Sequence, residues 1–232
     1  MTSSRGRLTL VQRLLALAAI ATLPATLALL FLIASANSQR QDATRAEALL
    51  LGEIAGLEMN RIIDGTKSVM LAMGAAPELD RTDGAGCAAF MSRVSVSLPQ
   101  LRGFVLRDAE GAVRCASGGA PSDAAVGPAT VEEGVLETGL YTRSGPSAAP
   151  SLPLTLGLGP RGALTTWLDL DWLQERVRDR ELTPGGALTI ADRDGVIVAR
   201  EPYPERFVGT RIPDDFQRLV RASEPGTLEL RS

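Results

Sequence analysis

Phe104-Val105-Leu106-Arg107-Asp108-Ala109-Glu110-Gly111-Ala112-Val113-Arg114-Cys115 and, 84 positions on, Leu188-Thr189-Ile190-Ala191-Asp192-Arg193-Asp194-Gly195-Val196-Ile197-Val198-Ala199 align without a gap. Each is an apolar run, an Asp-x-acid-Gly turn and a second apolar run. Glycine after an acidic residue supplies the positive φ of a tight hairpin, so both stretches predict strand-turn-strand. The likeness continues downstream. Val126-Gly127 with a helical pattern to Leu136 matches Val208-Gly209 with Asp214 to Ala222, and Gly139-Leu140-Tyr141 matches Gly226-Thr227-Leu228. A repeat of roughly 85 residues is too long for a solenoid unit and suits a small domain of helix and strand. Two similar modules in tandem are expected.

The first copy runs on into two more strand-like stretches, 152–158 and 163–170, joined by Gly159-Pro160-Arg161-Gly162. The second reaches Ser232 at the stage equivalent to about Gly145, so internal comparison reads it as incomplete, without its last two strands. Between the copies, Asp171-Trp172-Leu173-Gln174 has the spacing of a capping box and opens a helix to about Leu182, with Asp171 as its cap. Thr183-Pro184-Gly185-Gly186 ends that helix and marks the module boundary. Residues 143–150, rich in Ser, Ala, Gly and Pro, read as an exposed loop.

Upstream of the repeat, 26 uncharged residues run from Leu14 to Gln39. At ~1.5 Å per residue, 14–36 is long enough for a ~30 Å hydrocarbon core, and a membrane helix tolerates Pro24. Arg5, Arg7 and Arg13 precede the span and Arg40 follows it, which predicts a cytoplasmic N-terminus and an exterior remainder. The alternative is a cleaved signal peptide, for which Ala34-Ser35-Ala36 offers a small-x-small site. Either way, the chain beyond about residue 37 is exported.

From Asp42 to about Ala75 the chain lacks proline and reads as one long helix. Leu50, Ile54 and Leu57, then Met59, Ile62, Ile63, Thr66, Val69, Met70 and Met73, form a drifting apolar stripe at helical spacing. Such a helix lies on a sheet, with part of its face left for a homodimer. Gly52 and Gly56 form a Gly-x-x-x-Gly pair, and Gly65 and Gly74 weaken the helix locally.

Composition excludes several functions. The chain has no histidine, hence no Ser-His-Asp or Cys-His machinery, no histidine metal ligand and no phosphoaccepting histidine. Its positive charge is arginine apart from Lys67, with no basic patch that would mark a nucleic-acid surface. No spacing of carboxylates and cysteines suggests a metal centre, and no cofactor motif is present. Cys87 and Cys115, 28 positions apart, are too few and too distant for a zinc site or a redox CxxC. In an oxidising compartment they predict a disulfide, two buried thiols being the alternative.

Asp192-Arg193-Asp194-Gly195 after an apolar run imitates the nucleophile motif of haloacid-dehalogenase-type phosphatases. That chemistry also needs a lysine and carboxylates downstream, and no lysine follows. The sister turn at Asp108 to Gly111 favours hairpin geometry, and a non-enzymatic chain is expected. Asp169 reads as solvated, and Asp214-Asp215 suit a helix N-terminus. For a binding pocket the candidates are Tyr141 and Arg143 on one strand face and Trp167 and Asp169 on another. In an antiparallel sheet they could present an aromatic wall, a cation and an anion to a small polar ligand. The alternative has Trp167 filling the core.

A basic N-terminus, one span, a long exported helix and two modules with Asp-x-acid-Gly hairpins resemble the extracytoplasmic double Cache sensors of bacterial membrane receptors. The stretch LTIADRDGVIVAREPYPERFVG (188–209) is similar to their membrane-proximal module, and CAAFMSRVSVSLPQLRGFVLRDAEGAVRCAS (87–117), cysteines included, to the distal one. The resemblance implies an α+β fold with PAS-like antiparallel sheets behind a long N-terminal helix, and a small-molecule ligand taken up by the distal module. It also implies a signal passed along helices to a cytoplasmic histidine kinase, diguanylate cyclase or chemoreceptor output. No Arg-x-Trp-Tyr run marks an amino-acid ligand. The expected organisation is a cytoplasmic tail at 1–13, an inner-membrane span at 14–36, the long helix with a distal module at 37–182, and a partial proximal module at 183–232 facing the periplasm. As given, the chain reads as an input region truncated before a second span. The alternative is an autonomous exported binding protein.

Overall fold

The structure is a computed structural model, and it describes residues 10–80, 84–117, 120, 131–144, 149–180, 182 and 185–220. The chain divides into two units, residues 1–51 and 52–232. In the first, the described residues are helical and belong to α1 (Leu10–Gly74), which continues through Pro24. Two helices expected from sequence are thus one continuous element. The described side chains at 22–33 are exposed, and α1 is long and apolar enough to cross a membrane.

The second unit is α+β. After α1 come α2 (Gly84–Val96), β1 (Leu101–Arg107), β2 (Val113–Ala116), β3 (Leu136–Thr138), β4 (Thr142–Ser144), β5 (Ala149–Gly157), β6 (Ala163–Asp169) and α3 (Leu170–Arg178). β7 (Leu188–Ala191), β8 (Ile197–Glu201), α4 (Pro204–Phe207) and α5 (Gln217–Val220) follow. The first six strands form one antiparallel sheet in the order β2-β1-β6-β5-β3, with β4 also on β5; β7 and β8 form a sheet of two.

Alternation divides the six-stranded sheet into two faces. Phe104, Leu106, Leu152, Leu154, Leu156, Leu164 and Leu168 join one core cluster with Met70 and Met73 of α1 and Met91 of α2. Each such side chain, fully buried, contributes about 1.5–3 kcal/mol. The C-terminal half of the α1 stripe is therefore core. Leu50, Ile54 and Leu57, further back, stay 56%, 40% and 63% exposed. A disulfide between Cys87 and Cys115, Cα atoms 6.1 Å apart, ties α2 to β2 over this face.

The two hairpins repeat in atomic detail. Asp108 N–H donates to Ala112 O, and Asp108 Oδ1 accepts from Ala112 N–H at 2.7 Å. Asp192 N–H donates to Val196 O, and Asp192 Oδ1 accepts from Val196 N–H at 2.9 Å. Gly111 and Gly195 sit at φ +88° and +78°, and each first strand shifts register at the same place, Leu106/Arg107 and Ile190/Ala191. The continuation of the repeat at 126–130 and 226–228 lies outside the described residues.

Pro153 shapes the far side of the sheet. Proline has no N–H for the ladder, and the Pro153 carbonyl, accepting from Gly139 N–H at 2.7 Å, shows that this backbone group faces the outer strands. The ladder breaks there. β3 pairs with β5 beyond the proline and β4 before it, leaving Leu140 and Tyr141 between them. Of the expected loop at 143–150, both ends are strand, and the interior 145–148 lies outside the described residues.

Candidate functional site

Strand register places the four candidate residues. Trp167 pairs with Pro153, and Asp169 with Ser151, so Trp167, Asp169, Ser151, Thr155 and Thr165 share the sheet face opposite α1 and α2. Arg143 pairs with Pro150, one position out of phase with Ser151, and points to the other side. There Arg143 and Tyr141 line a cleft of about 280 Å³ with Gln174 of α3 and Val198 of β8. The structure thus brings the candidates together in pairs and keeps the pairs on opposite faces.

The Trp167 face is buried and polar without being charged at its centre. Trp167 is 0% exposed and Ser151 1%, and among the described residues neither the Trp167 Nε1 nor the Ser151 Oγ has a hydrogen-bond partner. Ser151 and Trp167 are diagonal neighbours across β5 and β6, close enough to act on one group. Thr155 and Thr165 satisfy each other, Oγ1 to Oγ1 at 3.0 Å. An unpaired buried donor costs about 1–3 kcal/mol, so two on one face are a substantial unmet demand. One boundary of the face is built by Ser117, whose Oγ accepts from Phe104 N–H at 2.7 Å, and by Ala120, whose backbone approaches Gly103 so closely that a Cβ there would lie 2.8 Å from its nitrogen. At the β1 end, burial pushes the Arg107 guanidinium below its ordinary value.

Asp169 departs from the expected role. Its Oδ1 accepts from Asp171 N–H at 2.9 Å and Trp172 N–H at 3.3 Å, making it the N-cap of α3, while Asp171 lies in the first turn. The helix therefore starts two residues earlier than the capping-box spacing suggests. β6 runs into it without a linker, and a strand end next to a helix leaves the carboxylate facing the free N–H groups. Arg102 Nη2 holds Asp169 at 2.7 Å and Asp171 at 3.0 Å. Asp169, its side chain 18% exposed, is paired rather than solvated.

Asp192 is fully engaged in structure. Oδ1 takes Asp194 N–H and Val196 N–H, and Oδ2 takes Tyr141 N–H at 2.9 Å. A carboxylate holding three backbone donors is unsuited to attack phosphate. Among the described residues no cluster of three or more His, Cys, Asp and Glu could hold a metal. Sequence reasoning missed Ser151, Arg102 and Gln174. The serine and threonines interrupting the otherwise apolar β5 and β6 were the readable signal, whereas Arg102 looks like any surface arginine until its partners are known.

No family model matches the chain, and no curated protein matches it significantly. Among solved structures, the chain is similar to the extracellular domain of a protein assigned as a histidine kinase, with a TM-score of 0.53, 16% identity, and 76% of this chain and 80% of that one covered. It is also similar to a domain of a protein assigned to the sensory box/GGDEF family from Vibrio parahaemolyticus, with a TM-score of 0.51, 16% identity, and 77% and 78% covered. The chain shares its fold with these two domains.

Proposed function

We propose that this chain is the extracytoplasmic ligand-sensing input region of a bacterial membrane signalling receptor of the double Cache kind. In this reading 14–36 anchors it in the inner membrane with 1–13 cytoplasmic, 37–182 carries the distal module, and 183–232 belongs to the proximal module in the periplasm. The observation that carries it is the buried face with the unpartnered Trp167 Nε1 and Ser151 Oγ. A small molecule offering an acceptor to that indole N–H recovers the cost of leaving it unpaired. β6 passes directly into α3, so a ligand that shifts Trp167 or Asp169 also shifts a helix, and a difference in affinity between two α3 positions is all that a population shift needs. The signal would then reach a histidine kinase, diguanylate cyclase or chemoreceptor output. The chain itself acts as a binding module, not an enzyme.

A homodimer through α1 accords with the exposed Leu57 and Ile54, which with Trp172 line a groove of about 520 Å³. The ligand reading is tested by calorimetric titration of the detergent-solubilised full chain against a metabolite collection. A binder whose affinity falls about tenfold in both Trp167→Phe and Ser151→Ala supports it; binders indifferent to both variants remove this face as the site. A second reading, an autonomous exported binding protein, rests on Ala34-Ser35-Ala36. A mature N-terminus at Asn37, found by mass spectrometry, would favour it over the anchor.

A further inference from the structure

The second module has a cleft of its own. Leu188, Ile190 and Ala199 turn one face of the two-stranded sheet to the core, and Thr189 and Arg200, paired across β7 and β8, occupy the other. That second face floors a cleft of about 980 Å³, whose opposite wall includes Phe207, Ile212 and Phe216.

Four arginines line it: Arg193, Arg200, Arg206 and Arg211. None of them is held in an ion pair among the described residues. The carboxylate among the described lining residues is Asp192, whose two oxygens are occupied by backbone N–H groups. Arg200 is fixed in place. Its Nη1 donates to Thr189 Oγ1 at 2.5 Å, and its guanidinium lies 4.3 Å from the Phe207 ring centroid. Among the described residues its buried Nε has no partner. The Arg206 guanidinium stands 5.6 Å from the same ring, so two cations share one aromatic side chain. Like charges brought together in a partly desolvated cleft repel, and an anion between them turns that cost into two charge-assisted contacts. The rest of the lining is largely apolar, which suits a ligand with a hydrophobic body more than a bare inorganic ion.

We propose that this cleft binds a small organic carboxylate with an apolar or aromatic body, its carboxylate on Arg200 and Arg206 and its body against Phe207 and Ile212. The planar guanidinium fork matches a carboxylate in two-point contact. The site is separate from the Trp167 face, and the proposal stands whether or not that face takes a ligand.

The probes are benzoate, its neutral isostere benzamide and inorganic phosphate, titrated into the detergent-solubilised full chain with thermal unfolding and calorimetry as readouts. Benzoate is expected to raise Tm saturably and benzamide to leave it unchanged. Arg200→Gln and the exposed Arg206→Gln should each weaken benzoate binding at least tenfold, and Trp167→Phe should leave it within twofold. The Arg206 variant keeps the test valid if Arg200→Gln fails to fold. Equal binding of benzamide and benzoate, tighter binding of phosphate than benzoate, benzoate binding unchanged by Arg206→Gln, or no benzoate binding at millimolar concentration would each overturn the proposal.

Discussion

The side-chain amide of Gln174 pairs with the backbone of Arg200 as a neighbouring strand would: Nε2 donates to the Arg200 carbonyl and Oε1 accepts from the Arg200 N–H, both at 2.9 Å. β8 is otherwise paired on this outer edge at its start, where Ile197 N–H donates to Thr210 O and Gly209 N–H to Ile197 O. Gln174 closes the remaining length and fixes α3 on the β7–β8 sheet. Gln174→Ala should destabilise the fold by about 1–3 kcal/mol, because it strips both partners from a half-buried peptide group. Gln174→Glu, which keeps the acceptor alone, should fall between. Urea denaturation measures both, and an alanine variant within about 0.5 kcal/mol of the parent, the scatter of surface substitutions, would make the pair incidental.

The Cys87–Cys115 bond closes a loop of sequence separation 28. In the chain-entropy treatment such closure is worth ~3–4 kcal/mol, delivered in full only where the native geometry is unstrained. Reduction, or the Cys87→Ser/Cys115→Ser double variant, should therefore lower the urea midpoint, the two treatments agreeing. Thiol titration of the unreduced chain should find no reactive thiol.

Asp169 joins two tasks, capping α3 and holding Arg102. Asp169→Ala should cost about 1–2 kcal/mol from the cap alone and more from the stranded guanidinium. Asp169→Asn keeps an acceptor for the cap and loses the charge, so its cost should be smaller. The order of the two Tm values, with Ala below Asn, is the check; the reverse order would separate the cap from the stability of the junction.

The equivalent turn aspartates differ in load. Among the described residues Asp108 Oδ1 holds one backbone donor, Ala112 N–H, and Asp192 holds three, one of them from Tyr141 just before β4. Asp192→Ala should cost about 2–4 kcal/mol and Asp108→Ala about half of that, at the 1.5–3 kcal/mol scale of hydrogen bonds to charged groups before compensation by water. Chemical denaturation of the two single variants decides it. Equal costs would mean that the bond from Tyr141 carries no weight.

Much of the fold is readable because it is local. The Asp-x-acid-Gly turns, the β5 and β6 stretches around Gly159-Pro160-Arg161-Gly162 and the apolar stripe of α1 each follow from residue type and spacing within a few positions. The β5–β6 junction shows how tight that local logic is: Gly162 lies at φ +94°, and a Cβ there would come 2.0 Å from the Arg107 carbonyl oxygen. The start of α3 was misplaced by two residues because Asp169 and Asp171 have the same capping chemistry. The strand leading into the helix chose between them.

By itself, then, the sequence determined the α+β class, the duplicated hairpin, the apolar N-terminal segment and the absence of histidine chemistry. Only the tertiary structure decided which side chains meet. Pairing register puts Trp167 with Ser151 on one face and Arg143 with Tyr141 on the other, because a shift of one residue along a strand reverses the face. Pro153 interrupts the outer ladder, and in that interruption the Tyr141 N–H bonds to Asp192, 51 positions away. Contacts of that kind depend on where the chain returns in space, which no local pattern of residues records.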